Sequence, residues 1–302
     1  MSKGERDKII DGKGISKEIL NELANEVGIF TKRYRAPHLA VLIAGDNPAS
    51  KVYVRNKVRA AEKTGVRSTM IELPADIGVE KLYTELDRLN RDTDIDGILV
   101  QLPLPSHIDQ QRVIERISPY KDVDGFHPYN LGRLASDQPV FIPCTPLGIS
   151  VLLSKYGVET TGKRVVIVGR SIIVGKPLAL LLTRKNKGGN ATVTICHSRT
   201  EDLSSITISA DILVAAIGKA GMITGDMIKD GAVVIDVGTN RVEDKTREKG
   251  YRIAGDVDFD TAYPKVSLIT PVPGGVGPMT VTMLMRNTLQ AAQRLKGEGD
   301  AG

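Results

Sequence analysis

The sequence predicts an α/β protein of two domains, each built on parallel strands covered by helices. Three observations carry this. Short apolar runs alternate with helical patterns along most of the chain, and the rhythm breaks once, across residues 118–146. Where it resumes, a glycine turn joins an apolar strand to an apolar helix. Strand–helix alternation of this kind covers both faces of a parallel sheet. At 302 residues the chain is long enough for two cores of ordinary size.

The elements follow in order. The opening "MSKGERDKIIDGK" is charged and has no apolar run, so no signal peptide is expected. "LAVLIAG" (39–45), "STMIEL" (68–73) and "GILVQLPLP" (97–105) read as buried strands, with amphipathic helices over 49–65 and 78–92. Residues 118–146, "SPYKDVDGFHPYNLGRLASDQPVFIPCTP", have no apolar period and read as an inter-domain passage. The strand rhythm returns with "RVVIVG" (164–169), "TVTIC" (192–196), "ILVAAIG" (212–218), "AVVIDVG" (232–238) and "VSLITPVP" (266–273). The polar stretch "RKNKGGN" (184–190) reads as an extended loop. Gly277 and Pro278 suit a helix start, and the tail "GEGDAG" reads as disordered.

Composition narrows the function. Hydrophobic residues make up 41% and charged residues 25%, as in a soluble globular protein. The net charge of +5 is spread along the chain, and eight Tyr, four Phe and no Trp offer few stacking platforms. Nucleic-acid binding is not expected; a small anionic ligand fits better. Cys144 and Cys196 lack a CxxC spacing, which argues against a disulfide framework or zinc site and for a reduced, cytoplasmic setting. His38, His107, His127 and His197 are scattered, and no metal is expected. No uncharged apolar run approaches a membrane span, so no membrane partner is expected.

"VVIVGRSIIVGKPLALLLTRK" has the context of a dinucleotide loop. Gly169 allows a tight turn, Gly175 lets the helix approach the strand, and the helix N-terminus suits a pyrophosphate. The spacing is one residue longer than GxGxxG, and the motif alone leaves a structural turn as an equal reading. The next strand ends "TVTICHSRT", with Ser198 and Arg199 where NAD-binding folds carry an acid. Together with Arg170, these donors and cations suit the 2′-phosphate of NADP, unless both arginines are solvated surface groups. The expected cofactor contacts are Gly169, Arg170, Ser171, Val174, Gly175, Ser198 and Arg199.

Upstream, "PASKVYVRNKVRAAEKTG" places Ser50, Tyr53 and Lys57 at spacings of three and four, on one helix face. Such a row is a solvated stripe or a proton-handling site. A Tyr-x-x-x-Lys pair suggests a short-chain dehydrogenase, but there the glycine loop comes first. Here the pair precedes Gly169 and belongs to a separate domain.

"GDNPASKVYVRNK", "DGILVQLPLP", "KDVDGFHPYNLGRL", "PCTPLGI", "GRSIIVGKP" and "ITPVPGGVGPMT" occur in that order between about residues 8 and 294. Together they resemble the bifunctional methylenetetrahydrofolate dehydrogenase/methenyltetrahydrofolate cyclohydrolase family. The resemblance implies a folate-binding catalytic domain (1–143 and 274–302), to which the last helix returns, around a Rossmann-type NADP domain (144–273). It implies that Lys57 is the central group of the cyclohydrolase step and that Tyr53 packs beside the substrate and shares hydrogen bonds with Lys57. Gln101 touches Lys57, Asp124 binds the pterin, and Pro273, Gly274 and Gly275 line the substrate cleft. Ser50 is a further substrate contact. Tetrahydrofolate derivatives, polyglutamylated forms among them, and a homodimer are also implied.

The chemistry suits these residues. Hydride transfer mainly requires alignment of two rings. Hydrolysis of the methenyl product needs a proton acceptor, which a lysine becomes when desolvation or cationic neighbours favour its neutral form. One carboxylate can accept together from the adjacent N–H and amino group of a pterin. Each residue also has a plainer reading. Lys57 would be a solvated charge, Tyr53 a half-buried packing residue, and Gln101 a strand-end cap. Asp124 would be a turn former like Asp122, which is read as structural; "PGGVGP" would be a strand-to-helix joint, and Cys144 a packing residue. A monofunctional dehydrogenase and a non-catalytic folate- or nucleotide-binding regulator are the alternative functions.

Overall fold

A computed structural model describes residues 8–247 and 250–297. The first seven residues and residues 298–302 of the tail expected to be disordered lie outside the described residues. The chain divides into two compact units: residues up to Ser16 with Thr145–Thr280, and Lys17–Cys144 with residues from Val281 onward.

The second of these units contains most of α1 (Gly12–Thr31), then β1 (His38–Ala44), α2 (Pro48–Thr64), β2 (Arg67–Leu73), α3 (Val79–Arg91) and β3 (Gly97–Val100). α4 (Gln110–Arg116) and α5 (Pro128–Ala135) follow. Its three strands are parallel, in the order β2-β1-β3. Every residue of β1 is buried, since the strand is central. α3 turns Leu82, Leu86 and Leu89, at spacings of four and three, onto Ala40, Leu42 and Ile98. Fully buried Asp96 accepts from Arg35 Nη1 and Nη2 (2.6 and 2.8 Å) and from the backbone N–H of His38 (2.8 Å). This charge-assisted fork ties the start of β1 to the start of β3.

The other unit begins with α6 (Cys144–Lys155), β4 (Arg164–Val168), α7 (Gly175–Thr183), β5 (Thr192–Cys196), α8 (Leu203–Thr207), β6 (Ile212–Ala215) and β7 (Val233–Asp236). β8 (Asn240–Glu243), β9 (Tyr251–Ala254), α9 (Phe259–Ala262) and β10 (Leu268–Ile269) follow; α10 (Val276–Leu295) comes last, its residues from Val281 belonging to the three-stranded unit. Five of the strands form a parallel sheet in the order β10-β7-β6-β4-β5. β6 and β7 are buried throughout, and their side chains join Val166, Val168 and Ile269 in one core.

Several expectations need correction. "STMIEL" is not a buried strand: β2 is the sheet edge, with Arg67, Thr69, Met70 and Glu72 exposed. β3 stops at Val100 rather than 105, because Pro103 and Pro105 cannot donate to a ladder. β10 keeps two residues of "VSLITPVP", which ends in Pro271 and Pro273. The passage 118–146 is not irregular throughout. It contains α5, where Pro128 occupies the first turn and the His127 ring accepts from the N–H of Tyr129 (3.0 Å). α1 and the antiparallel β8–β9 hairpin were not foreseen. The residues up to Ser16 also depart from the expected boundary, for a local reason: the N–H groups of Ile10 and Lys13 donate to Ile269 O and Gly274 O (2.9 and 2.8 Å).

Asp236 ends β7 with its carboxylate inside the protein. It accepts from the N–H groups of Gly238 and Asp256 at Oδ1 and of Val257 at Oδ2, each at 2.9 Å. Burial pushes this carboxyl up to about 6, against the pull of those donors and with a further push from Asp256. A folded-state value above the unfolded one means stability is full at low pH and lost as pH rises through the folded value. The contribution of Asp236 should fall by up to about 3 kcal/mol between about pH 4 and pH 6. Urea titrations across that range should show this slope in the wild type and not in Asp236→Asn.

Candidate active site

In the three-stranded unit, the C-terminal ends of the strands gather the expected groups, which is where open parallel sheets bind ligands. α2 follows β1 and carries Ser50, Tyr53 and Lys57 in one row. Ser50 is 4% exposed and Lys57 9%, whereas Tyr53 is 43% exposed. Gln101 follows β3, its N–H bonded to Leu42 O (2.8 Å). Lys57 Nζ donates to Gln101 Oε1 at 3.0 Å. Gln101 Nε2 donates to Leu102 O at 2.7 Å, which turns the amide so that its oxygen faces the lysine. Among the described residues, no hydrogen bond joins the Tyr53 hydroxyl to Lys57, and Tyr53 presents its ring and hydroxyl to solvent.

Asp124 comes from the turn between α4 and α5. Burial raises its carboxyl above the usual range, while the Lys57 charge and a hydrogen bond from the Cys144 thiol act in the opposite direction. The thiol is itself pushed well up by burial and by the negative charge of Asp124. Lys57, Gln101 and Asp124 are therefore one electrostatic group: an amine, a neutral acceptor and a carboxyl. Asp122 faces inward and accepts from Gly125 N (3.2 Å), His127 N (2.8 Å) and Asn130 Nδ2 (2.8 Å). It shapes the turn that carries Asp124. Gly125 has φ +78°, and a Cβ there would lie 2.8 Å from Pro143 N, so only glycine fits.

Sequence reasoning missed the residue that anchors this turn from behind. Asn287, 1% exposed on α10, donates through Nδ2 to Val123 O (2.8 Å) and Ile142 O (3.1 Å). Its signal was an amide within the apolar helix "TMLMRNTLQAA".

The five-stranded unit brings the cofactor candidates together. A Cβ on Gly169 (φ +139°) would lie 2.2 Å from Ala216 O, and one on Gly175 2.0 Å from Gly169 O. The strand, turn and helix pack too tightly there for any side chain. Ser171 Oγ accepts from Val174 N (3.1 Å), and α7 starts without a side-chain cap. β5 lies beside β4, with Gly169 N bonded to Cys196 O (2.9 Å). Exposed Ser198 and Arg199 thus stand next to the glycine turn, which exposes Arg170 and Ser171. Pro273, Gly274 and Gly275 belong to this same unit and not to the one carrying Lys57. Gly274 has φ +113°, and Gly275 N returns to Pro271 O (2.8 Å). Among the described residues, no group of three His, Cys, Asp or Glu side chains is placed to hold a metal ion. No described helix is long and apolar enough to cross a membrane.

Residues 10–124 match the catalytic domain, and residues 143–296 the NAD(P)-binding domain, of tetrahydrofolate dehydrogenase/cyclohydrolase. This chain belongs to that family. "Bifunctional protein FolD" of Prosthecochloris aestuarii is 54% identical over 289 residues, covering 95% of this chain and 98% of the relative. The crystal structure of the bifunctional FolD enzyme of Campylobacter jejuni superposes with a TM-score of 0.89 at 44% identity, covering 95% of this chain and 99% of that one. The Trypanosoma brucei enzyme, solved with NADP cofactor and inhibitor, gives a TM-score of 0.91 at 44% identity, covering 95% of this chain and 98% of that one. The fold expected in the sequence, a catalytic α/β domain with a dinucleotide-binding domain, is the fold of this family.

Replacing Asn287 with Leu would leave the Ile142 carbonyl without its side-chain donor and Val123 O with only the weak Cys144 thiol (3.3 Å). An orphaned buried polar group costs about 1–3 kcal/mol. Asn287→Leu should therefore lose about 1–3 kcal/mol of stability in urea unfolding.

Proposed function

We propose that the chain oxidises 5,10-methylenetetrahydrofolate with NADP and hydrolyses the resulting methenyl cation to 10-formyltetrahydrofolate. The observation that carries the hydrolytic activity is the contact of Lys57 with Gln101 beside Asp124, while the glycine turn at Gly169 and Gly175 supports the oxidation. A dehydrogenase alone has no use for the Lys57 contact, because hydride loss from the bridging carbon yields a resonance-stabilised cation without an acid or base.

In the proposed site, Asp124 accepts from the adjacent N–H and amino group of the pterin. Tyr53, half exposed on α2, packs beside the ring and the p-aminobenzoate, and Ser50 is a further contact from the same helix face. The hydrolytic step needs water at the methenyl carbon and an acceptor for its proton. Gln101 is neutral, so it holds the Lys57 amine in place without fixing a positive charge there, as a carboxylate would. A neutral amine donates one N–H to Gln101 Oε1 and keeps its lone pair for the proton of the attacking water. A substrate cation beside any amine favours that neutral form.

NADP, when bound, supplies the hydride acceptor. The glycine cradle at Gly169 and Gly175, which a Cβ would fill, fits its pyrophosphate, with Ser171 and Val174 completing the turn. Arg170, Ser198 and Arg199, with no acid at the tip of β5, fit a 2′-phosphate. Tetrahydrofolate derivatives, including polyglutamylated forms, suit the net charge of +5. We assign the protein to the cytoplasm as a homodimer. The exposed edge strand β2, with Met70 48% exposed, supports self-association.

Lys57→Met keeps the length of the side chain and removes its proton chemistry. Hydrolysis of supplied 5,10-methenyltetrahydrofolate, followed by absorbance, should fall at least about 100-fold. A variant as fast as wild type would return Lys57 to the status of a structural charge. Arg199→Ala should raise the KM for NADP at least about tenfold and leave that for NAD within about twofold, since only NADP carries the phosphate. Light scattering of the purified protein should give twice the chain mass.

A further inference from the structure

Among the described residues, the largest cluster of hydrogen bonds to a buried carboxylate lies outside every residue discussed for the reaction. Asp256, fully buried after β9, accepts four of them. Its Oδ2 accepts from the N–H groups of Ile217 (2.5 Å) and Gly218 (2.9 Å), and its Oδ1 from Lys219 N (2.9 Å) and Asn240 Nδ2 (2.8 Å). Three consecutive backbone N–H groups converging on one point form a concavity that holds an anion. Here a side chain of the chain itself fills it.

The loop so held continues β6 at the C-terminal edge of the sheet. Ala216 N bonds to Val168 O (2.8 Å), and Ala216 O is the atom that leaves no room for a Cβ on Gly169. Ala216, which leads into residues 217–219, is therefore packed against the glycine turn, one strand over. Gly218 and Gly221 have φ +79° and +62°, so the loop adopts backbone angles that need an external restraint to stay in one form. The restraint is itself fixed. Asp256 N donates to Asp236 Oδ1 (2.9 Å), its carbonyl accepts from Ile223 N (3.0 Å), and Gly255 O accepts from Gly221 N (3.1 Å). A Cβ on Gly238 would lie 2.4 Å from Asp256 Oδ1, so the carboxylate has no alternative position on that side.

We propose that Asp256 is a positioning residue for the oxidation step: it holds the Ile217–Lys219 loop in the form that seats the dinucleotide beside the glycine turn. This rests on reading the five-stranded unit as the NADP-binding one. Loss of the restraint lets the loop leave that form, which weakens coenzyme binding and alignment. Hydrolysis of the methenyl substrate needs no coenzyme and draws on Lys57, Gln101 and Asp124 in the other unit, so it is spared.

Two variants test this. Asp256→Asn offers one acceptor oxygen where two were used, and sets an NH₂ against backbone N–H donors. Asn240→Ala removes a single donor from Asp256 and leaves the carboxylate in place. NADP-dependent oxidation of 5,10-methylenetetrahydrofolate and hydrolysis of 5,10-methenyltetrahydrofolate are measured separately on each. The KM for NADP should rise at least about tenfold in Asp256→Asn and about threefold in Asn240→Ala, with hydrolysis within about twofold of wild type in both. NADP binding by calorimetry should weaken in the same order. Unchanged NADP affinity in both variants overturns the proposal, as does an equal loss of both activities. If Asp256→Asn does not fold, Asn240→Ala decides by the same criteria. A wild type that hydrolyses the methenyl substrate but never reduces NADP overturns the cofactor reading, and the proposal with it.

Discussion

A parallel strand satisfies its backbone along the ladder and then releases the chain into a loop whose N–H groups have no strand to meet. Buried N–H groups left in that state are costly, and this protein meets them with inward-facing carboxylates. Asp122 holds the turn between α4 and α5, Asp236 the exit of β7, and Asp256 the loop after β6. Each accepts from several donors at once, so the loops at both sheets are held by side-chain oxygen where no ladder reaches. The glycines of these loops follow from the same constraint. Backbone that wraps a carboxylate closely leaves no space for a Cβ, as at Gly238 beside Asp256 and Gly255 beside Asp236.

The two units divide the chemistry by kind. The three-stranded unit collects groups that handle protons and polar substrate atoms: an amine, an amide and a carboxyl raised by burial. The five-stranded unit offers backbone N–H groups, hydroxyls and arginines around a glycine turn. The two domain models of one family cover both units, and the relative named bifunctional aligns with this chain over 98% of its length.

The parts of the fold legible in the sequence were those decided by local pattern. β-branched runs such as "RVVIVG" and "AVVIDVG" gave their strands, and Leu82, Leu86 and Leu89 gave α3. β2 was misjudged because its composition resembles a buried strand, while its exposure depends on having one neighbour only. α5 was hidden in a Pro- and Asp-rich passage, where a His-Pro start did what an apolar period usually does. In the site, Lys57, Gln101 and Asp124 were found through motif context and are drawn together by the structure. Asn287 and Asp256 were not found. Their partners are backbone atoms distant in sequence, and a donor to a carbonyl leaves no pattern among side chains.

The helix face bearing Ser50, Tyr53 and Lys57 has an uneven depth. Lys57 and Ser50 are sunk into the unit, and Tyr53 stands out between them. For lineages that vary this protein, the three positions are not equally free. A new side chain at the exposed position alters what the ligand meets and disturbs little packing, whereas one at either buried position must first be accommodated by the core. On the proposed reading of Tyr53 and Lys57, drift in ligand preference and preservation of proton chemistry proceed on adjacent turns of the same helix, each under its own selection.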